Sequence, residues 1–288
     1  MQSEYICNLV IPGAAKSGTS SLHAYLDAHP MISMSSSKEP HHFSRDARYA
    51  EGAQAHNALF KKTTGARFFG ESSTTYLPCA PAADRIALHL KHPKAIIILR
   101  HPVARCFSHY RWRYRLGLEK RSFWDAIKCD GFGYDPEKTT EFGYMAYLEF
   151  SQYSRQCSVW ENTIGSESCL FISLEDMLKD RRKTLKRCFD FLGLQMLENI
   201  EAIGQLNETG ALGRRPSKAT TQLARILPDA FKSLPFYKRA KNGILKAVAP
   251  QPPAIITSEE RAFVEESLAE DIAWFEARFE KKAKQAEA

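Results

Sequence analysis

The sequence predicts an α/β protein with a central parallel sheet flanked by helices. Three observations predict it: apolar runs of strand length that are continuous instead of alternating, helical spacing between those runs, and Gly or Pro signals where several of them stop. The chain has 288 residues, enough for one large domain and an ample core, and it reads as a single domain over 1–288. Hydrophobic residues at 44% and charged residues at 25% exclude a disordered, collagenous or coiled-coil chain.

The elements follow in order. Residues 5–11 (YICNLVI) form an apolar run closed by Pro12-Gly13, and the next helix presents Leu22, Tyr25 and Leu26 on one face. A short run at 67–69 ends at Gly70, and Lys94–Leu99 (KAIIIL) is almost wholly aliphatic. Pro102 suits the first turn of a helix whose apolar face carries Val103, Phe107, Tyr110 and Tyr114. Residues 169–172 (CLFI) form a fourth strand. Near the end, Thr257-Ser-Glu-Glu260 is a capping box that opens an amphipathic helix read over 258–284, through Phe263, Leu268, Ile272, Phe275 and Phe279.

Seven cysteines, Cys7, Cys79, Cys106, Cys129, Cys157, Cys169 and Cys188, are scattered and show neither C-x-x-C nor a Cys/His ligand spacing. They read as reduced core thiols, not as a disulfide frame or a zinc site. The first residues lack a basic n-region and a cleavage site, and no stretch approaches spanning length, so a cytoplasmic protein without a membrane is expected. Lys and Arg number 40 against 33 acids, a net charge of +7 that suits an anionic ligand. Residues 201–250 hold nine Lys/Arg against three acids. Within them, Gly210, Gly213 and Pro216 make 207–220 a basic, lid-like loop, and the later charges read as a solvated face. No nucleic-acid-binding module is recognisable, so nucleic acid is not an expected partner.

The chemistry concentrates in two segments, 5–22 and 94–110. In the first, Pro12-Gly-Ala-Ala-Lys16-Ser17-Gly18-Thr19-Ser20-Ser21 lies between a strand and a helix. A turn there aims backbone N–H groups, the positive end of the helix dipole and the Lys16 ammonium at one point, where a phosphate fits. It is not a Walker A loop, since Lys16 comes two residues before Gly18 instead of directly after it. In the second, Lys94–Leu99 ends in Arg100 where an NTPase would end a later strand in an Asp that helps hold magnesium. A fixed cation there binds a second anionic group directly and implies no metal. Ser108, two turns into the following helix, is the candidate partner of Arg100.

Lys16-Ser-Gly-Thr-Ser-Ser21 after a first strand, with Arg100 and Ser108 in I-I-I-L-R-H-P-V-A-R-C-F-S-H-Y, resembles the two nucleotide motifs of sulfotransferases that use 3′-phosphoadenylyl sulfate. Ser37-Lys38-Glu39-Pro40-His41-His42-Phe43 is similar to the K-E-x-x-F-F-like segment of heparan-type and related bacterial members. Gly143-Tyr144 with Leu148 and Tyr153, and Leu174-Glu175-Asp176, add to the likeness. The resemblance implies a P-loop-like α/β fold, 3′-phosphoadenylyl sulfate as co-substrate and 3′,5′-ADP as product. It places the 5′-phosphosulfate on Lys16, Ser17, Gly18, Thr19, Ser20 and Ser21, and the 3′-phosphate on Arg100 and Ser108. It makes Lys16 the neutraliser of the leaving phosphate oxygen and Glu39 the base that deprotonates an acceptor hydroxyl, with His41 and His42 as rival bases. Pro40 is expected to hold Glu39 in extended backbone, from which its carboxylate projects.

The heparan-type E-K-S-P-x-Y segment is here Glu71-Ser72-Ser73-Thr74-Thr75-Tyr76, so Ser72 replaces a lysine and leaves Lys16, with Lys38, as the nearby cations. Glu71 is expected to hold the basic residues of the site or to cap the next segment. Arg214 and Arg215 resemble the family's late basic loop over the nucleotide. The acceptor is expected to be a carbohydrate or small molecule, and oligomeric state is not encoded in any motif. A kinase-like P-loop phosphotransferase and a non-catalytic nucleotide-binding protein share the same loops and are the alternatives.

Overall fold

A computed structural model of the chain describes residues 4–61, 65–130, 146–198 and 252–286. Its elements are β1 (Leu9–Ile11), α1 (Thr19–Asp27), β2 (Ile32–Met34), α2 (Asp46–Tyr49), α3 (Gly52–Asn57), β3 (Phe68–Ser72), α4 (Ala80–His89), β4 (Lys94–Leu99), α5 (Pro102–Arg115), α6 (Phe123–Lys128), α7 (Tyr153–Ile164), β5 (Cys169–Ser173), α8 (Leu174–Lys179), α9 (Arg181–Phe191), α10 (Ser258–Ser267) and α11 (Ala269–Ala286). The five strands form one parallel sheet in the order β2-β3-β1-β4-β5. From β1 the chain crosses to the far edge as β2, returns as β3 beside β1, and then adds β4 and β5 on the other side, which opens a crevice at the carboxyl ends of β1 and β4.

The aliphatic strand β4 shows why the sheet is covered on both faces. Ala95, Ile97 and Leu99 join Val10, Trp160 and Phe275 in one core, while Ile96 and Ile98 join Leu9, Ile11, Leu22, Leu26 and Phe189 in the other. A strand buried on both faces has no solvent side to encode, so its sequence does not alternate. A third cluster seats α5 against α6 and α10 through Val103, Cys106, Tyr110, Phe123 and Val264.

Four sequence expectations are corrected. The first strand begins at Leu9, not at residue 5, and at Ile6 the chain meets a side chain instead of a neighbouring strand, the Ile6 N–H donating to Asn57 Oδ1 at 3.1 Å. Gly70 does not end its strand but lies inside β3, where an added Cβ would crowd the Met34 thioether and Leu9, so the glycine marks close packing and not a turn. The last helix is two, α10 behind the observed Thr257–Glu260 capping box and α11 beyond a break at Leu268. That break lets Val264 and Leu268 fill the α5–α6 cluster while Phe275 and Phe279 reach the main core. Of the cysteines, Cys129 is exposed and Cys169 half-buried, while the other five are core thiols and all seven are free.

The short edge strand β2, three residues with Ser33 at its centre, was not anticipated. It matters because it delivers the loop that carries Lys38 and Glu39 to the same edge as β1 and β4. No helix among the described residues is long and apolar enough to cross a membrane.

His42 lies in an aromatic cluster beneath this loop, its ring 4.5 Å from that of His56 and its Nε2 3.0 Å from the Tyr5 hydroxyl. Burial, then the neighbouring His56, Arg85 and His89, push its pKa down to about 3. The unfolded chain therefore binds a proton below about pH 6.5 that the folded chain refuses, and stability falls as pH drops from there toward 3. Denaturant titrations from pH 7 to 4.5 should show His42→Gln losing less stability than the parent, the gap closing by about 1.4 kcal/mol per pH unit once below pH 5.5. Parallel curves would remove His42 as a source of acid sensitivity.

Candidate active site

The opening turn is built by backbone geometry that few side chains tolerate. Lys16 has φ of 71° and Gly18 of 92°, both in the left-handed region. A Cβ on Gly18 would approach Leu174 Cδ1 to 2.9 Å, so the left-handed conformation favours glycine and a side chain there would also have to displace Leu174. Gly18 is the N-cap of α1 and offers no side chain to the helix's first N–H groups. These groups and the dipole behind them face the crevice unneutralised, which is the condition for anion binding. The buried Ser17 hydroxyl lies beside the Tyr153 phenol without a full hydrogen-bond partner among the described residues. Thr19 is buried, Ser21 half-buried and Ser20 exposed.

Beside this turn, the Ala14 N–H donates to Ile98 O at 2.6 Å and the Ile98 N–H to Gly13 O at 3.0 Å, so β1 and β4 stay paired up to the mouth of the loop. Arg100 therefore emerges one strand over from Lys16, as expected. Tyr153 ties the two together, since its hydroxyl donates to Arg100 O at 3.1 Å while lying against Ser17. Glu175 Oε1 accepts the His101 N–H at 3.0 Å and fixes the start of α5. Burial pushes the Arg100 guanidinium down, with Glu175 opposing. Ser108 is half-buried on α5, one turn before Trp112, whose ring centroid is 5.1 Å from Lys16 Nζ. The helix face bearing Ser108 is thus the face turned toward the opening loop.

Lys16 is unusual among lysines. Burial first, then Arg100, Arg115, Lys38 and Arg105, lower its pKa to about 8. Arg105 itself is wholly buried, donating from Nε to Ser151 Oγ at 2.5 Å and from Nη2 to Tyr147 O. Cations so crowded repel one another, and an anion placed among them relieves that repulsion.

Glu39 stands across the crevice. Its Oε1 accepts from Lys38 Nζ at 2.7 Å, and its Oε2 accepts from Thr74 N at 2.8 Å and Thr74 Oγ1 at 3.1 Å. Burial raises its pKa, but Lys38, His41 and the Thr74 N–H outweigh this and hold it below the ordinary value, so it is a carboxylate at neutral pH. Contrary to the expectation from Pro40, its φ is 59°, because its N–H is pulled to Ser72 O at 2.9 Å and its carboxylate to Thr74. His41 lies next to it, Nδ1 4.0 Å from Glu39 Oε2 and 2.8 Å from Thr75 Oγ1, and burial lowers its pKa so that the ring is neutral. His42 is not brought to the site.

Glu71 does not hold the site's basic residues. It is wholly buried and accepts from Tyr76 Oη at 2.7 Å, Ser73 Oγ at 3.0 Å and His56 Nε2 at 3.3 Å. Ser72, where a lysine was expected from the resemblance, has its hydroxyl 2.7 Å from His23 Nδ1. His23, Thr74, Trp112 and Tyr153 were not among the candidate site residues. Trp112 follows Ser108 by four positions on a helix, which is a readable signal, whereas Thr74 and His23 reach the site only through long-range packing. Arg214 and Arg215, the loop 207–220 and Gly143-Tyr144 lie outside the described residues.

Comparison with known proteins agrees with this geometry. The profile of the Sulfotransferase domain matches residues 8–209. Mouse heparan sulfate glucosamine 3-O-sulfotransferase 3B1 is 27% identical over 195 residues, 68% of this chain and 48% of its own length. The membrane-associated sulfotransferase kil1 of Dictyostelium discoideum is 32% identical over 117 residues, 39% of this chain and 24% of its own. The chain spans about half the length of the heparan sulfate relatives it matches. Among solved structures, a sulfotransferase from Alicyclobacillus acidocaldarius is 28% identical with a TM-score of 0.56, covering 71% of this chain and 91% of that one. Mouse sulfotransferase SULT7A1 complexed with PAP shares the fold at 16% identity and a TM-score of 0.51, covering 94% of this chain and 85% of that one.

The lowered pKa of Lys16 is directly measurable. Acylation of lysines followed by mass spectrometry across pH 6.5–11 should give Lys16 a half-maximal rate near pH 8, with exposed lysines near their ordinary value. A Lys16 midpoint indistinguishable from the others would contradict the crowding of cations described here.

Proposed function

The chain belongs to the sulfotransferase domain family, and from that premise we propose that it moves a sulfuryl group from 3′-phosphoadenylyl sulfate to an acceptor hydroxyl. The observation that carries this reading is the pairing of an uncapped helix N-terminus at Gly18 with Lys16, one strand away from Arg100. Two anion sites at neighbouring strand ends suit one nucleotide bearing phosphate groups at both ends of its ribose. The residues present fit it: Gly18 leaves the first turn of α1 without a side-chain cap, the α1 amides and Lys16 take the 5′ end, and Arg100 with Ser108 takes the 3′-phosphate.

The donor supplies the activated sulfuryl group. Glu39, held ionised by Lys38 and Thr74, accepts the proton of the acceptor hydroxyl at Oε1, since Oε2 already accepts two bonds from Thr74 while Oε1 accepts one, from Lys38. His41, neutral and fixed by Thr75, is a neighbour of this carboxylate and the second choice as base. Lys16 stabilises the charge that grows on the departing phosphate oxygen. Arg100 stands at the strand end where an NTPase has its magnesium-holding Asp, and the reaction is proposed to run without a divalent ion. The names of the heparan sulfate relatives support a carbohydrate acceptor, and a small-molecule hydroxyl remains the alternative class. Arg214 and Arg215 are proposed as a basic lid on the nucleotide.

Release of 3′,5′-ADP from 3′-phosphoadenylyl sulfate, coupled to labelling of heparan oligosaccharides or simple alcohols, should proceed in EDTA. Lys16→Ala should lower turnover by about a hundredfold or more. Arg100→Ala should mainly weaken 3′,5′-ADP in calorimetry, by about tenfold to a hundredfold. Glu39→Gln should slow chemistry about a hundredfold while leaving nucleotide affinity unchanged. Turnover that instead needs ATP and magnesium would overturn the reading, and full activity in Glu39→Gln would overturn the choice of base.

A further inference from the structure

Lys38 occupies a place that the roles given so far leave unexplained. Its ammonium is 2.7 Å from Glu39 Oε1 and 3.4 Å from Thr19 Oγ1. These contacts mark the two ends of the reaction, because Thr19 is the first residue of α1, where the 5′ end of the nucleotide is held, and Glu39 faces the acceptor. A group that passes from one to the other passes the Lys38 ammonium.

Backbone geometry makes this possible. Adjacent side chains of an extended chain point to opposite sides, but the left-handed φ of 59° at Glu39 reverses the chain and lets Lys38 and Glu39 meet. The Glu39 N–H bond to Ser72 O anchors that reversal to the end of β3. Ser72 supplies no cation of its own, and its hydroxyl is committed to His23. Lys38 is also one of the charges that depress Lys16, so the two ammonium groups face a common space that an anion between them would stabilise.

We propose that Lys38 is a catalytic residue whose ammonium contacts the sulfuryl oxygens during transfer, exchanging its Glu39 partner for them; this rests on the sulfotransferase reading. In that step the acceptor oxygen bonds to sulfur as the bond from sulfur to the nucleotide's phosphate oxygen breaks. The electron pair of the broken bond stays on that phosphate oxygen, and the acceptor's proton goes to Glu39. Lys38 moves no proton. It balances charge on the group in flight and, by leaving the carboxylate, frees Glu39 to accept.

The test uses the full chain as Lys38→Met and Lys38→Arg, with calorimetry of 3′-phosphoadenylyl sulfate and of 3′,5′-ADP. It is paired with single-turnover release of sulfate from 3′-phosphoadenylyl sulfate to water, which needs no identified acceptor. Lys38→Met should bind 3′,5′-ADP like the parent, bind 3′-phosphoadenylyl sulfate about tenfold more weakly, and release sulfate about a hundredfold more slowly. Lys38→Arg should recover most of both. Equal weakening toward the two nucleotides would make Lys38 a general anchor and overturn the proposal, as would parental affinity and rate in Lys38→Met. Either result leaves the sulfotransferase reading intact, whereas a parent chain that binds neither nucleotide overturns that reading itself.

Discussion

The uncapped N-terminus of α1 is the constraint on which the rest of the site depends. Most helices satisfy their first N–H groups with a Ser, Thr, Asp or Asn side chain. Here the cap is Gly18 in the left-handed region, where an added Cβ would crowd Leu174. A larger residue would restore a cap only by distorting the turn. The amides are left for a ligand, and the strained φ of Lys16 immediately before them directs a lysine into the same space. Cations gathered around this point, Arg100, Lys38 and Arg105, oppose Lys16 and with burial lower its pKa. Stability given up at such a site is recovered when an anion binds.

The strand order turns one anion loop into a two-ended grip. Because β1 and β4 are neighbours and remain paired through Ala14 and Ile98, Lys16 and Arg100 leave the sheet side by side. Tyr153 on α7 reinforces this by bonding Arg100 O while lying against Ser17. The β2–β3 pair brings the acceptor side to the same edge, since Glu39 is held by Ser72 and Thr74 at the end of β3. Three loops from non-adjacent parts of the sequence thus meet where parallel strands end, the position at which open α/β sheets bind ligands.

Much of this was legible in the sequence. The aliphatic strand at Lys94–Leu99 was read at its observed bounds, because burial on both faces leaves an unambiguous apolar run. The turn at 12–18 and the role of Arg100 as a cation at a strand end were likewise written in local composition. What escaped was set by tertiary contact. The edge strand Ile32–Met34 has a serine at its centre and exists because β3 pairs with it. Gly70 looked like a terminator because the sequence does not reveal Met34 above it. The preference imposed by Pro40 on Glu39 lost to two hydrogen bonds from residues more than thirty positions away. His42 stands beside His41 in sequence yet packs beneath the loop, a distinction that only the fold draws.

The central claim is that one ligand is held at both ends, by the Gly18 turn and by Arg100. The most direct measurement compares, by calorimetry in EDTA, the affinity of the parent chain for 3′,5′-ADP and for adenosine 5′-phosphate, which lacks only the 3′-phosphate. The account predicts that 3′,5′-ADP binds at least about tenfold to a hundredfold more tightly, and that Arg100→Ala erases most of the difference. Equal affinity for the two nucleotides in the parent chain would contradict it.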